Sequence, residues 1–307
     1  MKQKNKSAFS ELGLLYSVIV WGSSFFILKE TLQFVSPTQL VGYRFLFAAL
    51  IAGTILIFQR KNPLKNWKQG FVLGLMLFLI NASQTLGIKF TSASNSAFIT
   101  SLFIIFVPGV TYLYTKKLSS PKRLIPIFVA LLGLWLLTGG IKGINNGDLI
   151  TLITAMVVAL QIVTVERIVQ KKTDPFILNF QQLALTAFLS LLLDAFLGNK
   201  NTFSVDPRSM WNIIYLATIC TVIPLLIQFF AQKHVNSIKA SLFFSLEPVF
   251  AALFAWTLGH ELFVPEQALG GIVIVIAVIL SEIIEKRSNP GTEKIDHQKK
   301  KLYDGTK

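Results

Sequence analysis

Residues 237–258, SIKASLFFSLEPVFAALFAWTL, form an apolar run long enough to cross a lipid bilayer. The run contains one carboxylate, Glu247, followed directly by Pro248. Placing a carboxylate at the centre of a membrane helix costs roughly 2.5 to 3.5 kcal/mol on insertion scales, so such a residue marks a functional site by default. Two interpretations of Glu247 follow: a functional acid, or a carboxyl group that is protonated or paired internally.

The composition of the rest of the chain agrees with a membrane protein. Hydrophobic residues make up 53% of the sequence and charged residues only 14%, and the charges lie between long apolar runs rather than within them. The gaps between runs are too short to fold around a core of their own. The net charge of +14 comes from loops and the tail rather than from a basic surface, so we expect no nucleic-acid partner. Cys220 is the only cysteine, which excludes an internal disulfide.

Ten segments have the length of about 17 to 25 residues that a bilayer crossing requires. They are residues 12–28, 37–59, 67–88, 91–114, 124–141, 148–168, 175–197, 210–232, 237–258 and 265–284. We therefore predict an all-α membrane protein with ten transmembrane helices. Prolines inside these segments predict helix kinks at Pro108, Pro224 and Pro248.

Basic residues are distributed unequally between the two sides that this topology defines. The side of the N-terminus carries Lys2, Lys4, Lys6, Arg60, Lys61, Lys65, Lys68, Lys116, Lys117, Lys122, Arg123, Arg167, Lys171, Lys172, Lys233, Lys239 and the tail from Lys286. The opposite side carries only Lys29, Lys89, Lys142, Lys200 and Arg208. Because cytoplasmic loops are rich in Lys and Arg, we expect both termini in the cytoplasm and the protein in a bacterial plasma membrane.

An internal repeat relates the two halves of the chain. The sequence separation between Pro37 and Pro175 equals that between Gly133 and Gly271, whereas Pro108 and Pro248 are slightly further apart. A repeat of five spans, an odd number, places the two copies in opposite orientations, as in secondary transporters whose site lies near the bilayer midplane. The predicted units are residues 12–141 and 142–284, flanked by a cytoplasmic N-terminal segment, 1–11, and a basic cytoplasmic tail, 285–307.

Four motifs together resemble one known family. They are WGSSF at residues 21–25, RF at 44–45, TSASNSAFITSL at 91–102 and ASLFFSLEPVFAALFAW at 240–256. The sequence resembles the EamA-type permeases of the drug/metabolite transporter superfamily. The resemblance implies ten helices in two inverted five-helix halves, alternating access, and export of metabolites, amino acids or drugs. One departure is Val107, which stands in the first copy where the second has Glu247, so the chemistry of this acid is not symmetric.

A carrier of polar solutes replaces their lost water with polar side chains at bilayer depth. The candidate substrate-binding or coupling residues are Glu247, Arg44, Trp21, Ser24, Asn81, Gln84, Gln161, Gln181, Gln182, Gln228 and Ser245. Each has an alternative role, since membrane hydroxyls often bond to their own helix and glutamines often join neighbouring helices. Arg44 lies about 10 Å from the border at Pro37 and has three interpretations: snorkelling to the surface, pairing with Glu247, or binding an anionic substrate group.

The fifth and tenth segments differ from the others because they are apolar nearly all round. We expect these two helices at the periphery, in lipid or in a homodimer interface, and the other eight around the cavity. The lipid bilayer and a small-molecule substrate are the expected partners.

The sequence favours a secondary transporter that exports small organic solutes. The alternatives are a non-transporting membrane assembly or regulatory protein and, with less support, a membrane-embedded enzyme. An enzyme would need a carboxylate pair, a metal cluster or a nucleophile with its base. The sequence has none of these patterns and no phosphate-binding glycine loop, so we predict no enzymatic activity, no metal and no cofactor.

Overall fold

A computed structural model describes residues 2–91, 93–116, 121–138, 145–171, 173–197, 207–258 and 263–288. All regular secondary structure in these ranges is helical. The first six helices are α1 (Lys2–Thr31), α2 (Pro37–Phe58), α3 (Trp67–Phe90), α4 (Ala93–Ser101), α5 (Phe103–Thr115) and α6 (Pro121–Thr138). The others are α7 (Asn146–Val169), α8 (Pro175–Leu197), α9 (Pro207–Ala217), α10 (Ile223–Ala231), α11 (Ser237–Phe244), α12 (Glu247–Thr257) and α13 (Pro265–Ser288).

Eight segments of the described chain are long and apolar enough to cross a membrane. They are Phe9–Thr31, Pro37–Phe58, Trp67–Phe90, Ser96–Thr115, Asn146–Val169, Pro175–Leu197, Pro207–Ala231 and Ser237–Thr257. Two shorter apolar helices, Leu124–Leu137 and Pro265–Ser281, correspond to the predicted fifth and tenth spans. The prediction of an all-α membrane protein is therefore confirmed, while the count of ten crossings stays a prediction. The first helix begins at Lys2, within the predicted N-terminal segment, and the tail after Ser288 lies outside the described residues.

Two of the predicted spans are broken helices rather than continuous ones. Residues 91–114 were expected as one helix, but α4 ends at Ser101 and α5 begins at Phe103. Residues 237–258 are divided in the same way by a turn at Ser245 and Leu246, where the N–H of Leu246 donates to the carbonyl of Phe243. Pro248 lies in the first turn of α12, where a helix needs no N–H donor, so the break falls just before Glu247.

The other two kink candidates have different surroundings. Pro108 lies inside α5, after the break rather than at it. Pro224 lies in the first turn of α10, directly after a π-helical segment, Thr218–Val222, that joins α9 to α10. The length and apolar content of the span did not predict this π-helical segment, because a π-helical turn changes the hydrogen-bond register without changing composition.

Packing brings the two halves of the chain into extensive contact. The main neighbours are α2 with α8, α3 with α7, α3 with α8, α1 with α10 and α12, and α7 with α4 and α5. The largest apolar cluster includes Val18 of α1, Phe103 of α5, Ile162 of α7 and Leu246 before α12. The core therefore lies between the halves rather than within either one.

Helices α6 and α13 pack against each other at the edge of this arrangement. Their glycines permit close approach, since a Cβ at Gly270 would lie 2.1 Å from the backbone nitrogen of Leu137 and 2.6 Å from the carbonyl oxygen of Gly133. The outer sides of both helices carry exposed apolar residues, among them Phe128, Trp135, Leu269, Ile272 and Ile279. A homodimer through this outer surface stays a prediction.

We expect Gly270→Leu to destabilise the protein because the new side chain would collide with backbone atoms of α6 that cannot rotate away. The measurement is the melting temperature of the purified protein in detergent. Gly109→Ala is the matched control: a Cβ there meets nothing within 4 Å, and alanine favours a helix over glycine by about 1 kcal/mol. Equal melting temperatures for the two variants would contradict the proposed tight contact between α6 and α13.

Candidate functional site

A cavity of about 100 Å³ lies within the helix bundle. Its lining comes from α1, α2, α3, α4, α5, α7, α10, the π-helical segment, the end of α11 and the start of α12. Glu247 is the midpoint of its candidate span Ser237–Thr257, and Trp21 lies one residue from the midpoint of Phe9–Thr31. The cavity is therefore near mid-depth of the bundle, and its volume is enough for several water molecules.

Eight of the eleven sequence-predicted site residues line this cavity. They are Glu247, Arg44, Trp21, Ser24, Asn81, Gln84, Gln161 and Gln228. They come from helices that are far apart in sequence, so the fold brings together a set that the sequence could name only individually.

The other three predicted residues do not line the cavity. Gln181 donates to the carbonyls of Pro63 and Lys65 at 2.6 and 2.9 Å and so anchors the loop between α2 and α3. Gln182 is 1% exposed and donates to Asn179, and the hydroxyl of Ser245 donates to the carbonyl of Leu242 one turn earlier.

The position of α8 explains why Gln181 and Gln182 do not line the cavity. It also corrects the expectation that eight of the ten predicted spans surround the cavity. No residue of α8 lines the cavity, although it was predicted to surround it. Glycines of α2 and α3 let α8 pack closely behind them: a Cβ at Gly42 would meet Leu191 at 2.6 Å, and one at Gly74 would meet Leu185 at 2.8 Å. The polar face of α8 is therefore used against these neighbours rather than toward the cavity.

Glu247 is half-buried at the cavity wall and is the first residue of α12. The positive end of the helix dipole at this position favours a carboxylate. Its carboxyl group has no hydrogen bond or ion pair with any residue that the structure describes. The acid is thus held at mid-depth with its oxygen atoms available to a bound molecule.

Arg44 is 6% exposed and is anchored to the π-helical segment. Its Nε donates to the hydroxyl of Thr221 at 2.7 Å, and its Nη2 donates to the carbonyl of Cys220 at 3.4 Å. Because Arg44 is buried, its guanidinium does not extend to the membrane surface. It also does not pair with Glu247, since no carboxylate of the described residues forms an ion pair with it. A guanidinium has five N–H donors, and these contacts use two.

The carbonyl of Cys220 has a further partner, because the indole Nε1 of Trp21 donates to it at 3.0 Å. One helical turn further along the chain is Pro224, which has no N–H to complete the usual helical bond to this carbonyl. The proline therefore explains why side chains of α1 and α2 can bind the backbone of the eighth predicted span at this level.

Most amides of the cavity are partly used by the protein itself. Asn81 donates to the carbonyl of Leu77 at 2.9 Å, and Gln84 donates to the hydroxyl of Thr100 at 3.3 Å. Gln228 donates to Gln232, which in turn donates to the carbonyl of Ile162 on α7. The side chain of Gln161 has no hydrogen-bond partner among the described residues and, like Glu247, is available to a ligand.

Residues that the sequence search missed give the cavity an aromatic wall. Phe45, Phe103 and Phe244 line it together with the predicted Trp21, whose ring lies 5.3 Å from that of Phe244. These three phenylalanines were not predicted, because only polar residues stand out inside apolar spans and the chain contains 26 phenylalanines. Their only sequence signal is position, since Phe45 adjoins Arg44 and Phe244 precedes Glu247 by less than one turn.

Outside the spans, one ion pair joins the loop after α2 to the start of α8. Lys61 contacts Asp174 at 2.7 Å and lies 4.4 Å from the ring centre of Phe176. Partial burial acts to raise the pKa of Asp174, but the hydrogen bond and charge of Lys61, with the N–H groups of Phe176 and Ile177, outweigh it and hold the pKa below its usual value. This contact holds a loop in place and is separate from the cavity.

The sequence matches the model of the EamA-like transporter family over residues 8–139 and again over residues 145–283. The chain belongs to the EamA-like transporter family. An "Uncharacterized transporter" from Archaeoglobus fulgidus is 30% identical over 277 residues, which are 90% of this chain and 86% of that protein. The "Uncharacterized transporter YyaM" of Bacillus subtilis is 28% identical, with 87% of this chain and 91% of that protein covered. These relatives identify the EamA-like chain as a membrane transporter.

A solved crystal structure has the same fold at 15% sequence identity. Its TM-score is 0.75, and the alignment covers 91% of this chain and 98% of the other. In the described residues of this EamA-like chain, no group of three or more His, Cys, Asp or Glu side chains is placed to hold a metal ion.

Thr221→Val should lower the stability of the folded protein because Arg44 would lose its shortest hydrogen bond while remaining buried. Thr218→Val is the matched control, since that hydroxyl only donates to the carbonyl of Ile214 one turn earlier. We expect the free energy of unfolding, measured by reversible denaturation in mixed micelles, to fall by about 1.5 to 3 kcal/mol more for Thr221→Val than for the control. An equal loss in both variants would show that the anchor of Arg44 contributes nothing.

Proposed function

We propose that this EamA-like transporter is a secondary carrier that exports small organic solutes across a bacterial plasma membrane by alternating access. The observation that carries the proposal is an acid and a base, Glu247 and Arg44, that line one mid-depth cavity without pairing with each other. Glu247 has no partner among the described residues, and Arg44 has donors to spare beyond its bonds to Thr221 and Cys220. Charges at such depth are costly and are kept where a substrate or a coupling ion uses them.

The chemistry of the lining indicates the class of solute. A separate acid and base, with the free amide of Gln161 between apolar and aromatic surfaces, suit a small molecule that carries both polar groups and an apolar part. Amino acids and amphipathic drugs both have this character. Charged atoms of such a solute would replace the water that Glu247 and Arg44 lose at mid-depth.

Two inverted copies of a five-helix unit are the architecture that we propose for this carrier. Support comes from matching positions that line the same cavity: Trp21 and Ser24 of α1 are separated from Val158 and Gln161 of α7, respectively, by one and the same sequence offset. Adjacent cavity residues 80–81 in α3 and 220–221 in the π-helical segment also share a single offset, which is three residues larger than that of the first two pairs.

The packing pattern gives further support to this architecture. Helix α1 packs on α10 and α12 of the second half, and its counterpart α7 packs on α3, α4 and α5 of the first half. In the proposed repeat α3 corresponds to α10 and α5 to α12, so each first helix packs on equivalent helices of the other copy. The family model also matches twice in succession. With ten crossings and the observed bias of basic residues, both termini would lie in the cytoplasm.

Glu247→Gln should abolish solute flux or uncouple it from pH, because the amide keeps the size of the side chain but cannot carry or release a proton. The assay is counterflow in proteoliposomes against a panel of labelled amino acids, nucleosides and cationic dyes, which also identifies the substrate. Glu266→Gln, on the exposed first turn of α13, is the matched control. Flux with unchanged rate and pH dependence in Glu247→Gln would remove this acid from the mechanism.

A further inference from the structure

The candidate membrane span of α1, Phe9–Thr31, and helix α7 each carry a charged residue near both ends. In α1 these are Glu11 and Lys29, and in α7 they are Asp148 and Glu166. The two residues of each pair are separated by about 27 Å along the helix, close to the thickness of the hydrocarbon core. The sequence offset from Glu11 to Asp148 equals that from Lys29 to Glu166, so the four charges occupy matching positions of the repeat.

At one end of the bundle, Glu11 and Glu166 both bind the first turn of α11. Oε1 of Glu11 contacts Nζ of Lys239 at 2.8 Å. Oε2 of Glu166 accepts the backbone N–H of Ser237 at 2.8 Å and also accepts the Ser237 hydroxyl. The start of α11 is therefore held from one side by α1 and from the other by α7; we call these contacts the α11 latch.

At the opposite end, the other two charges bind the C-terminal end of α3. Nζ of Lys29 donates to the carbonyls of Ile88 and Thr91, both at 2.8 Å. The hydroxyl of Thr91 donates to Oδ1 of Asp148 at 2.7 Å. The end of α3, which precedes α4, is thus held by α1 and by α7; we call these contacts the α4 latch.

The two latches use opposite ends of the helix dipole. A carboxylate accepts the backbone N–H of Ser237 at the N-terminus of α11, and an ammonium donates to the carbonyls of Ile88 and Thr91 at the C-terminus of α3. Each interaction is favourable where it stands. Lys29 and Glu166 could not exchange places, because each would then face the end of a helix dipole of its own sign.

The α11 latch holds the first turn of α11 itself, and the α4 latch holds the end of α3 at Thr91, two residues before α4 begins. Helices α11 and α4 are the short halves of the two broken helices. Helix α4 has nine residues and α11 has eight, and each ends at a turn beside the cavity. Thr100 of α4 and Phe244 of α11 both line the cavity. A short helix that is fixed at its outer end and followed by a turn can tilt without disturbing the long helices around it.

We propose that α11 and α4 are the two gates of the cavity and that the α11 and α4 latches keep them closed. Release of the α11 latch opens the cavity toward the face of Glu11 and Glu166, and release of the α4 latch opens it toward the face of Lys29 and Asp148. This inference rests on the proposed carrier function.

The substitution Gln161→Cys, at a position that lines the cavity and whose side chain has no hydrogen-bond partner among the described residues, gives a direct test in a Cys220→Ser background. The rate at which a membrane-impermeant methanethiosulfonate labels this cysteine is measured from each face of the membrane, with intact cells for one face and inside-out vesicles for the other. Glu166→Ala should raise the rate about fivefold from the face of the α11 latch only, and Lys29→Met should do so from the opposite face only. Glu166→Gln, which keeps a hydrogen-bond acceptor, should give a smaller increase than Glu166→Ala.

Matched controls remove polar contacts at the bundle ends that do not touch a gate. Asp174→Asn weakens the ion pair with Lys61, and Glu30→Gln weakens the one with Arg208; neither should change labelling. If Glu166→Ala does not fold, Ser237→Ala removes the hydroxyl contact of the same latch and should give a change of the same sidedness. An equal change from both faces, or none from either, would overturn the gate assignment. Labelling requires no substrate, so loss of flux in the carrier assay and failure of this inference remain separate results.

Discussion

The carbonyl of Cys220 is the polar group around which the centre of the bundle is organised. In a membrane, a backbone group without an internal partner costs several kcal/mol, because no water is present to bind it. Pro224 provides no N–H for this carbonyl, and the side chains of Trp21 and Arg44 bind it instead. One missing hydrogen bond in the eighth predicted span thereby joins that span to α1 and α2 at the depth of the cavity.

This arrangement also explains how a charged arginine is held in an apolar bundle. Burial of a guanidinium is tolerated only where its donors are satisfied, and the contacts to Thr221 and Cys220 satisfy part of them. The remaining donors, and Glu247, which has no partner among the described residues, make the cavity polar on two sides while phenylalanines cover others. The fold thus keeps an acid and a base available in one cavity by anchoring Arg44 to Thr221 and the Cys220 carbonyl and placing Glu247 at a helix N-terminus.

The sequence was sufficient to identify the parts but not their arrangement. The length and apolar content of the spans predicted the helices, and the rarity of charges inside them selected Glu247 and Arg44. The division of residues 237–258 at Ser245 was not predictable from hydropathy, because both halves are strongly apolar. Gln181 and Gln182 looked like site residues for the same reason as Gln161 and Gln228. Only the close approach of α2 and α3 to α8, permitted by Gly42 and Gly74, shows that they lie behind the cavity.

The two copies of the proposed repeat differ at positions that line the cavity in one copy and are buried in the other. Glu247 lines the cavity, whereas Val107, its counterpart before Pro108, is fully buried in the largest apolar cluster. A carboxylate at Val107 would have neither water nor a donor, and its burial would cost several kcal/mol. Arg44 and Gln182, which have the same sequence offset as Pro37 and Pro175, show the same contrast between a cavity position and a buried one. If the two halves are the inverted copies that we propose, the repeat supplies matching helices, while packing decides which copy can carry a polar or ionisable side chain.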